Sequence, residues 1–201
     1  MRQLDEIEND ALKEIFNIGI GHAADSFSQM IHSPVWLSVP TLELLYGDGA
    51  VRQLQMIDAG AGSMIKQSFH GGFTADGLLV FPGERSLELV RLMVGSDVPV
   101  SEMRELEQDA LVEVGNILFN SSISVISDMI GEPFQCSMPR FETGHIGQLL
   151  ADFHESNECL LLMNIAFTVE QIQVRGFVMF LMKVDSVEIF IAAIKKYLGL
   201  M

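Results

Sequence analysis

An internal repeat at an offset of 99 residues constrains the fold of this chain more than any other feature. Residues 10–22, DALKEIFNIGIGH, and residues 109–121, DALVEVGNILFNS, share Asp-Ala-Leu, a Glu four places after the Asp and an Asn three places after the Glu. The same offset aligns later pairs: Ser28 and Ser127, Pro34 and Pro133, Gly77 and Gly176, Phe81 and Phe180. With one residue of slippage, SLEL at 86–89 aligns with SVEI at 186–189. The chain is therefore predicted to be a duplicated unit of about 100 residues.

Each unit is predicted to contain a long helix, three strands and a shorter helix. Apolar residues recur at helical spacing over 4–31 and again over 106–130, and Pro34 and Pro133 end the two helices. The alternation within VWLSV at 35–39 predicts the first strand of the first unit. The later strands are predicted at about 64–70, 76–81, 158–167 and 172–183.

The number of strands in one unit decides how the two units must combine. Three strands cannot bury both of their faces alone. We therefore predict an α+β fold in which the two units share one sheet with pseudo-twofold symmetry. The whole chain would form a single domain of two repeats, at about residues 1–98 and 101–201, joined by a short turn within VGSDVPVSEM at 94–103.

The composition fits a globular protein and argues against several kinds of partner. Hydrophobic residues make up 49% of the 201 residues, but no continuous apolar run approaches the roughly 18 residues that a membrane-spanning helix needs. The formal net charge of −15 disfavours nucleic acid and anionic membranes, because like charges repel. The N-terminus lacks a secretory signal, and Cys136 and Cys159 have no CxxC spacing, so we expect a cytoplasmic protein. We also expect a monomer, because a duplicated sheet completes itself.

Other motifs in the chain predict no site. GIGHAA at 19–24 fits the loose GxG dinucleotide fingerprint, but its glycines fall inside the helical pattern and no strand precedes them. Small residues that let two helices approach closely are the favoured interpretation. The histidines form no HExxH motif and the chain has no GxSxG motif, so neither a metal site nor a serine nucleophile is predicted.

The duplicated polar residues form the candidate site. Positions i, i+4 and i+7 of a helix share one face. The residues aligned in this way are Asp10, Glu14 and Asn17 in the first unit and Asp109, Glu113 and Asn116 in the second. Ala11, Ile15 and Ile18 should point to the other side. An ordinary solvated face would explain one such set, but the recurrence of an Asn, a mediocre helix former, favours a function. In both units a proline, Pro40 or Pro139, follows the Asn after 22 intervening residues.

The pattern Asp-x3-Glu-x2-Asn-x22-Pro occurs twice in the chain. It resembles the signature of the CheC family of chemotaxis phosphatases, the group that includes CheX and FliY. Proteins of this family dephosphorylate the response regulator CheY, and CheC also binds the receptor deamidase CheD. The resemblance implies a fold with two long helices carrying the sites across a shared sheet. It also implies a phosphorylated CheY-like receiver as the substrate, and CheD as a further candidate partner.

The resemblance assigns a role to each motif position. Asn17 and Asn116 would each hold a water in line with the phosphorus of the receiver's aspartyl phosphate. Glu14 and Glu113 would pair with the lysine that receivers keep beside their phosphate. The supporting positions would be Asp10, Asp109, Pro40 and Pro139. The chain would need no cofactor or metal of its own, because the receiver would supply Mg²⁺.

Two further points stay open at the level of sequence. The first copy has Phe16 where the second has Gly115, and Gly21 where the second has Asn120. Phe16 would either add bulk beside Asn17 or face the core. The alternative function is a non-enzymatic adaptor that binds a receiver, like the middle domain of a flagellar switch protein, or that binds CheD. Release of phosphate from a phosphorylated receiver would test for the phosphatase, and a pull-down with a CheD partner would identify the CheD-binding adaptor, in which weak hydrolysis would be secondary.

Overall fold

A computed structural model of the chain describes residues 4–39, 41–46, 49–50, 52–53, 56, 60–95, 97–149, 158–169, 172–197 and 199. The helices are α1 (Glu6–Ile31), α2 (Arg85–Val94), α3 (Val100–Ile130), α4 (Ile146–Leu149) and α5 (Val184–Tyr197). The strands are β1 (Val35–Ser38), β2 (Leu42–Tyr46), β3 (Ala61–His70), β4 (Thr74–Pro82), β5 (Gln135–Cys136), β6 (Arg140–His145), β7 (Glu158–Val169) and β8 (Ile172–Lys183). Each half begins with a long helix and ends with a shorter one, as predicted, although α3 begins before residue 106.

Local sequence sets the ends of the two long helices. At the start of α1, Asp5 Oδ1 accepts a hydrogen bond from the Glu8 N–H at 2.8 Å, and Glu8 Oε2 accepts one from the Asp5 N–H at 3.0 Å. This capping box satisfies two backbone donors that lack a partner within the helix. Both helices end at a residue in the left-handed conformation, His32 (φ 57°) for α1 and Gly131 (φ 77°) for α3.

Strands from both halves form one antiparallel sheet in the order β1-β7-β8-β4-β3-β5, with β2 also on β7 and β6 also on β3. The two halves meet at the central pair, β4 and β8. The first strands of each half pair with the other half, because β1 and β2 lie on β7 while β5 and β6 lie on β3. This reciprocal strand exchange gives the sheet its pseudo-twofold symmetry. The predicted α+β class and the shared sheet are confirmed.

The first strand of each unit differs from the prediction because it is broken into two. β1 ends at Ser38 and β2 begins at Leu42, and β5 ends at Cys136 before β6 begins at Arg140. Pro139 lies in the second break. Proline has no backbone N–H to give to a strand ladder, so the ladder stops there. Within the described part of the chain, each half thus contributes four strands in place of the predicted three. Pro40 lies outside the described residues.

The helices cover one face of the sheet with an aromatic core. Among the described residues, four ring pairs join a helix to a strand: Phe16 with Phe180, Phe27 with Phe167, Phe119 with Phe69 and Phe119 with Phe180, at centroid distances of 5.5, 5.8, 5.7 and 5.9 Å. The long helices also contact each other, since a Cβ added to Gly19 would lie 2.7 Å from Ser122 Cα. GIGHAA therefore lies within α1, and its first glycine permits close helix packing. The opposite face of the sheet carries a second apolar cluster, which includes Met64, Leu78, Val80, Leu160 and Met179.

Helix α3 is the one helix among the described residues that is long and apolar enough to cross a membrane, judged by length and composition alone. In this fold, the apolar side chains of α3 face the protein core. Leu111, Val114 and Phe119 have 0% of their surface exposed and belong to the core between the helices and the sheet. Packing of one face against α1 and the sheet accounts for its hydropathy.

Candidate functional site

The duplicated polar residues lie on the outward faces of α1 and α3. The exposed side chains are Asp10, Glu14, Asn17, Asp109 and Glu113, and Asn116 is half-buried. We call Glu14 and Asn17 the first-copy site, and Glu113 and Asn116 the second-copy site. Helical spacing thus brings the predicted Glu and Asn of each copy to one surface.

One residue expected to face away from the first-copy site does not. Ala11 and Ile15 are buried, whereas Ile18 is 41% exposed. The buried face of α1 is centred on Leu12, Phe16 and Ala23, and a step of about 100° per residue puts position 18 at the edge of that face. The prediction for Ile18 was wrong, because spacing alone does not locate the centre of the buried face.

The second-copy site lines a cavity of about 340 Å³. Glu113 and Asn116 come from α3, and Pro139 comes from the break between β5 and β6. The structure therefore brings together three positions that the sequence pattern links over 27 residues, from 113 to 139. Met138, which is 82% exposed, stands beside them at the opening.

Asn116 is oriented by a second amide one helical turn later. The Asn120 Nδ2 group donates a hydrogen bond to Asn116 Oδ1 at 2.8 Å. Side chains four residues apart in a helix are neighbours, so this contact follows from the local sequence. The aligned residue of the first copy is Gly21, which has no side chain to offer. Among the described residues, Asn17 makes no side-chain hydrogen bond.

The floor of the same cavity holds a buried amide that the sequence motifs do not indicate. Gln67 on β3 is only 2% exposed, and its Nε2 donates to the Ser137 carbonyl at 2.9 Å. Its Oε1 has no hydrogen-bond partner within the described part of the chain. A signal was present in the sequence, because Gln67 lies between the two apolar residues Ile65 and Phe69 on one face of the strand. The counterpart of Gln67 on β7 is the apolar residue Ile165, because Gln67 lies opposite Gly77 in the sheet and Ile165 lies opposite Gly176.

The residues directly before the two asparagines set different distances between helix and sheet. A Cβ added to Gly115 would lie 2.6 Å from Ile65 Cγ2, so α3 lies directly against β3 just before Asn116. Phe16, in contrast, is 2% exposed and packs its ring against Phe180 and Phe190. Of the two possibilities left open by the sequence, Phe16 faces the core.

Cys136 is the thiol nearest to the second-copy cavity and lines it. Its side chain remains accessible, yet desolvation by its neighbours raises the pKa of the thiol above its ordinary value. At neutral pH the group is therefore a protonated thiol, which is a poor nucleophile.

The described residues supply each site with one carboxylate and one carboxamide. No group of three or more His, Cys, Asp or Glu side chains in this part of the chain could hold a metal ion. A carboxylate can accept a cation or a donor, and a carboxamide offers both a donor and an acceptor. Such a pair suits the completion of a reactive centre that another molecule carries.

Two long helices packed across one shared antiparallel sheet are the architecture that the sequence resemblance implies. A family model described as "CheC-like family" matches residues 7–44. CheC of Bacillus subtilis (strain 168), named as a CheY-P phosphatase, is 25% identical over 150 residues, which span 73% of this chain and 71% of that protein. The flagellar motor switch phosphatase FliY of the same strain is 25% identical over 143 residues, 69% of this chain but only 36% of FliY.

Solved structures show the same fold. FliY of Thermotoga maritima matches 96% of this chain and 98% of its own with a TM-score of 0.77 at 19% identity. The middle domain of FliM from H. pylori matches 94% of this chain and 99% of its own with a TM-score of 0.65 at 13% identity. CheX from Borrelia burgdorferi, in a complex with CheY, BeF3 and Mg²⁺, matches 84% of this chain and 95% of its own with a TM-score of 0.51 at 14% identity. The chain is similar to CheC and FliY in sequence and shares the fold of FliY, so the resemblance predicted from its sequence is confirmed.

Proposed function

We propose that this chain hydrolyses the aspartyl phosphate of a phosphorylated CheY-like receiver. Its relative CheC is named as a CheY-P phosphatase, its relative FliY is named as a flagellar motor switch phosphatase, and CheX of the same fold forms a complex with CheY. One observation carries the proposal for this chain. Glu113 and Asn116 open together onto one cavity, where a receiver can meet both side chains at once.

The reaction needs positioning more than covalent chemistry, because an acyl phosphate is already activated. Asn116 can hold the attacking water in line with the phosphorus, and its amide does not titrate. A carbonyl oxygen has two lone pairs, so Asn116 Oδ1 can accept from Asn120 and from the water together. Asn17 would act in the same way without a neighbouring amide. The assignment is analogous to the glutamine that orients water in small GTPases.

The carboxylate one turn before each asparagine supplies a docking contact. Glu14 and Glu113 are exposed and three residues from Asn17 and Asn116, so each lies on the same helical face as its amide. Each would pair with the lysine that the receiver keeps beside its phosphate. This ion pair would fix the receiver relative to the water held by the amide, and we assign supporting roles to Asp10, Asp109, Pro40 and Pro139.

The receiver would supply the remaining charge. Mg²⁺ held by the receiver would neutralise the negative charge on the transferring phosphoryl group, and this chain would contribute no metal ligand. The proposal places the chain in the cytoplasm as a monomer that lends two residues per site to its partner.

Removal of both asparagines tests the proposal. Asn17→Ala combined with Asn116→Ala should abolish phosphate release from the phosphorylated receiver in the presence of Mg²⁺, while circular dichroism and Tm stay unchanged because Asn17 is exposed and Asn116 half-buried. The matched control is Gln29→Ala combined with Gln108→Ala, which removes two exposed amides from the same helices and should leave the rate unchanged. Full activity in the asparagine double variant would defeat the mechanism.

The alternative is a non-enzymatic adaptor that binds a receiver or CheD. The FliM middle domain shares the fold, so the architecture alone fits this alternative. The same assay separates the two functions. If a phosphorylated receiver binds this chain but loses its phosphate no faster than it does alone, the chain is a receiver-binding adaptor. If the chain retains a CheD protein in a pull-down, it is a CheD-binding adaptor.

A further inference from the structure

A second pair of equivalent residues is buried in the two long helices. Glu8 on α1 and Glu107 on α3 are related by the offset of 99 residues and are 3% and 8% exposed. Buried carboxylates are costly unless they are paired or hydrogen-bonded. We therefore compare the groups that pair with, or donate hydrogen bonds to, these two carboxylates.

In the first half, Glu8 is paired with an ammonium group. Lys195 Nζ on α5 lies 2.8 Å from Glu8 Oε1, and Glu8 Oε2 accepts the capping bond from the Asp5 N–H. Both oxygens thus have a donor. The contact is a charge-assisted hydrogen bond supplied by the short helix that ends the second half.

In the second half, no cationic side chain among the described residues pairs with the equivalent carboxylate, Glu107. Glu107 Oε1 accepts a hydrogen bond from Ser63 Oγ at 2.6 Å. Ser86 Oγ lies 3.3 Å from Ser63 Oγ, and since the one hydroxyl proton of Ser63 goes to Glu107, Ser86 is the donor in that contact. No ion pair reaches Glu107 from the described residues. At the offset of 100 that aligns SLEL with SVEI, Lys195 corresponds to Gly95.

A cavity of about 590 Å³ adjoins Glu107. Its lining combines Glu107, Ser63 and Ser86 with the apolar side chains of Leu87 and Phe141. Among the described residues of the lining, the only cationic side chain is that of Arg104. It is paired with Glu84, and both of these side chains are more than half exposed. The cavity therefore offers one buried carboxylate, two hydroxyls and an apolar wall.

We propose that this cavity binds a primary alkylammonium group, with its nitrogen beside Glu107 and its carbon chain along Leu87 and Phe141. The first half of the molecule shows that the same carboxylate position takes an ammonium nitrogen. A carboxylate with a single hydrogen-bond donor still has lone pairs to give to such a nitrogen, and the two serine oxygens lie close by to accept its other hydrogens. An anion would be repelled by Glu107. This site contains neither Glu113 nor Asn116, so it does not depend on the proposed phosphatase function.

Two sources of the ammonium group share this chemistry: a free small amine and a lysine side chain. The test uses both, as n-butylammonium and as Nα-acetyl-lysine N-methylamide, each added to the ¹⁵N-labelled full chain. We expect saturable shifts of the amide signals of Gly62, Ser63 and Ser86, and at least tenfold weaker shifts with n-butanol, which has the same chain and no charge. Tighter binding of the lysine compound would identify a lysine-bearing ligand, and tighter binding of butylammonium would identify a free amine.

The matched variants are Glu107→Gln and Glu105→Gln on the same helix. Glu107→Gln keeps the shape and an acceptor for Ser63 but removes the charge, so it should weaken butylammonium binding at least tenfold. Glu105→Gln removes an exposed charge two residues away and should leave binding unchanged. Equal binding of butylammonium and butanol to the unaltered chain would overturn the proposal, and so would no saturable shift at the three amides. The butanol comparison needs no variant, so it holds even if Glu107→Gln fails to fold.

Discussion

The first-copy and second-copy sites carry the same two side chains in different surroundings. Asn116 has Asn120 as a hydrogen-bond partner and Gln67 below it, whereas the equivalent positions of the first copy hold Gly21 and Ile165. α3 lies directly on the sheet at Gly115, while Phe16 fills the equivalent space beneath α1. The duplication has thus kept the Glu and the Asn of each proposed site and has let the residues around them diverge.

The single asparagine variants test this comparison most strongly. Asn116→Ala should lower the rate of phosphate release more than Asn17→Ala, because only Asn116 is fixed by a second amide at a cavity. Loss of a fixed polar group that acts on the transition state costs on the order of 10²–10³ in rate at the site concerned. Single-turnover release of phosphate from a labelled receiver measures both variants. Equal losses would mean that the surroundings of the two sites have no effect on catalysis.

Gly115→Ala tests the close approach of α3 to the sheet. Its Cβ would meet Ile65 Cγ2 at 2.6 Å, so α3 must move away from β3, and overpacking of this kind costs about 1–3 kcal/mol. Tm should fall, and the rate of the second-copy site should fall with it. The control is Gly21→Ala on α1, where an added Cβ meets nothing within 4 Å. That change should raise stability by up to about 1 kcal/mol through helix propensity.

Glu113→Gln and Glu14→Gln test the docking role of the two carboxylates. Each change removes a charge from an exposed side chain and keeps its length. A hydrogen bond to a charged group contributes about 1.5–3 kcal/mol, so KM for the phosphorylated receiver should rise roughly tenfold or more at the altered site while kcat changes little. A fall in kcat with constant KM would instead assign the glutamates to the chemical step.

Gly21→Asn has the smallest expected effect on the rate, and it tests the role of Asn120 most directly. The new side chain would stand four residues after Asn17, as Asn120 stands after Asn116, and could donate to Asn17 Oδ1. In an Asn116→Ala background, which leaves only the first-copy site, the change should raise the rate severalfold. Asn120→Ala in an Asn17→Ala background should lower it by a similar factor. If neither variant changes the rate of phosphate release, the hydrogen bond from Asn120 to Asn116 has no role in catalysis.

Much of the fold follows from the sequence because its main elements repeat. The offset of 99 residues, the helical spacing up to Ile31 and Ile130 and the alternating strands predicted both long helices and a single shared sheet. The exchange of strands was not predicted. Pairing β1 with a strand of its own half or of the other half buries the same alternating side chains, so periodicity cannot distinguish the two arrangements.

The candidate site was predicted only as far as its helical positions. Glu113 and Asn116 share a face because of their spacing, which sequence shows directly. Gln67 was missed because it comes from a strand more than 40 residues before Asn116, and no local pattern connects the two positions. Ile18 was placed wrongly for a related reason, since helical spacing fixes relative directions but not which direction meets the sheet.

The reciprocal placement of β1 and β2 on β7, and of β5 and β6 on β3, has a consequence for how the molecule is made. When the first half emerges from the ribosome, β1 and β2 have no partner for their hydrogen bonds, because β7 has not yet been synthesised. The native sheet can therefore be completed only after β7 has been synthesised, and contacts so distant along the chain slow folding. The two halves exchange strands as the subunits of an intertwined dimer do, although both belong to one polypeptide. A cut between α2 and α3 would give fragments that fold by complementing each other.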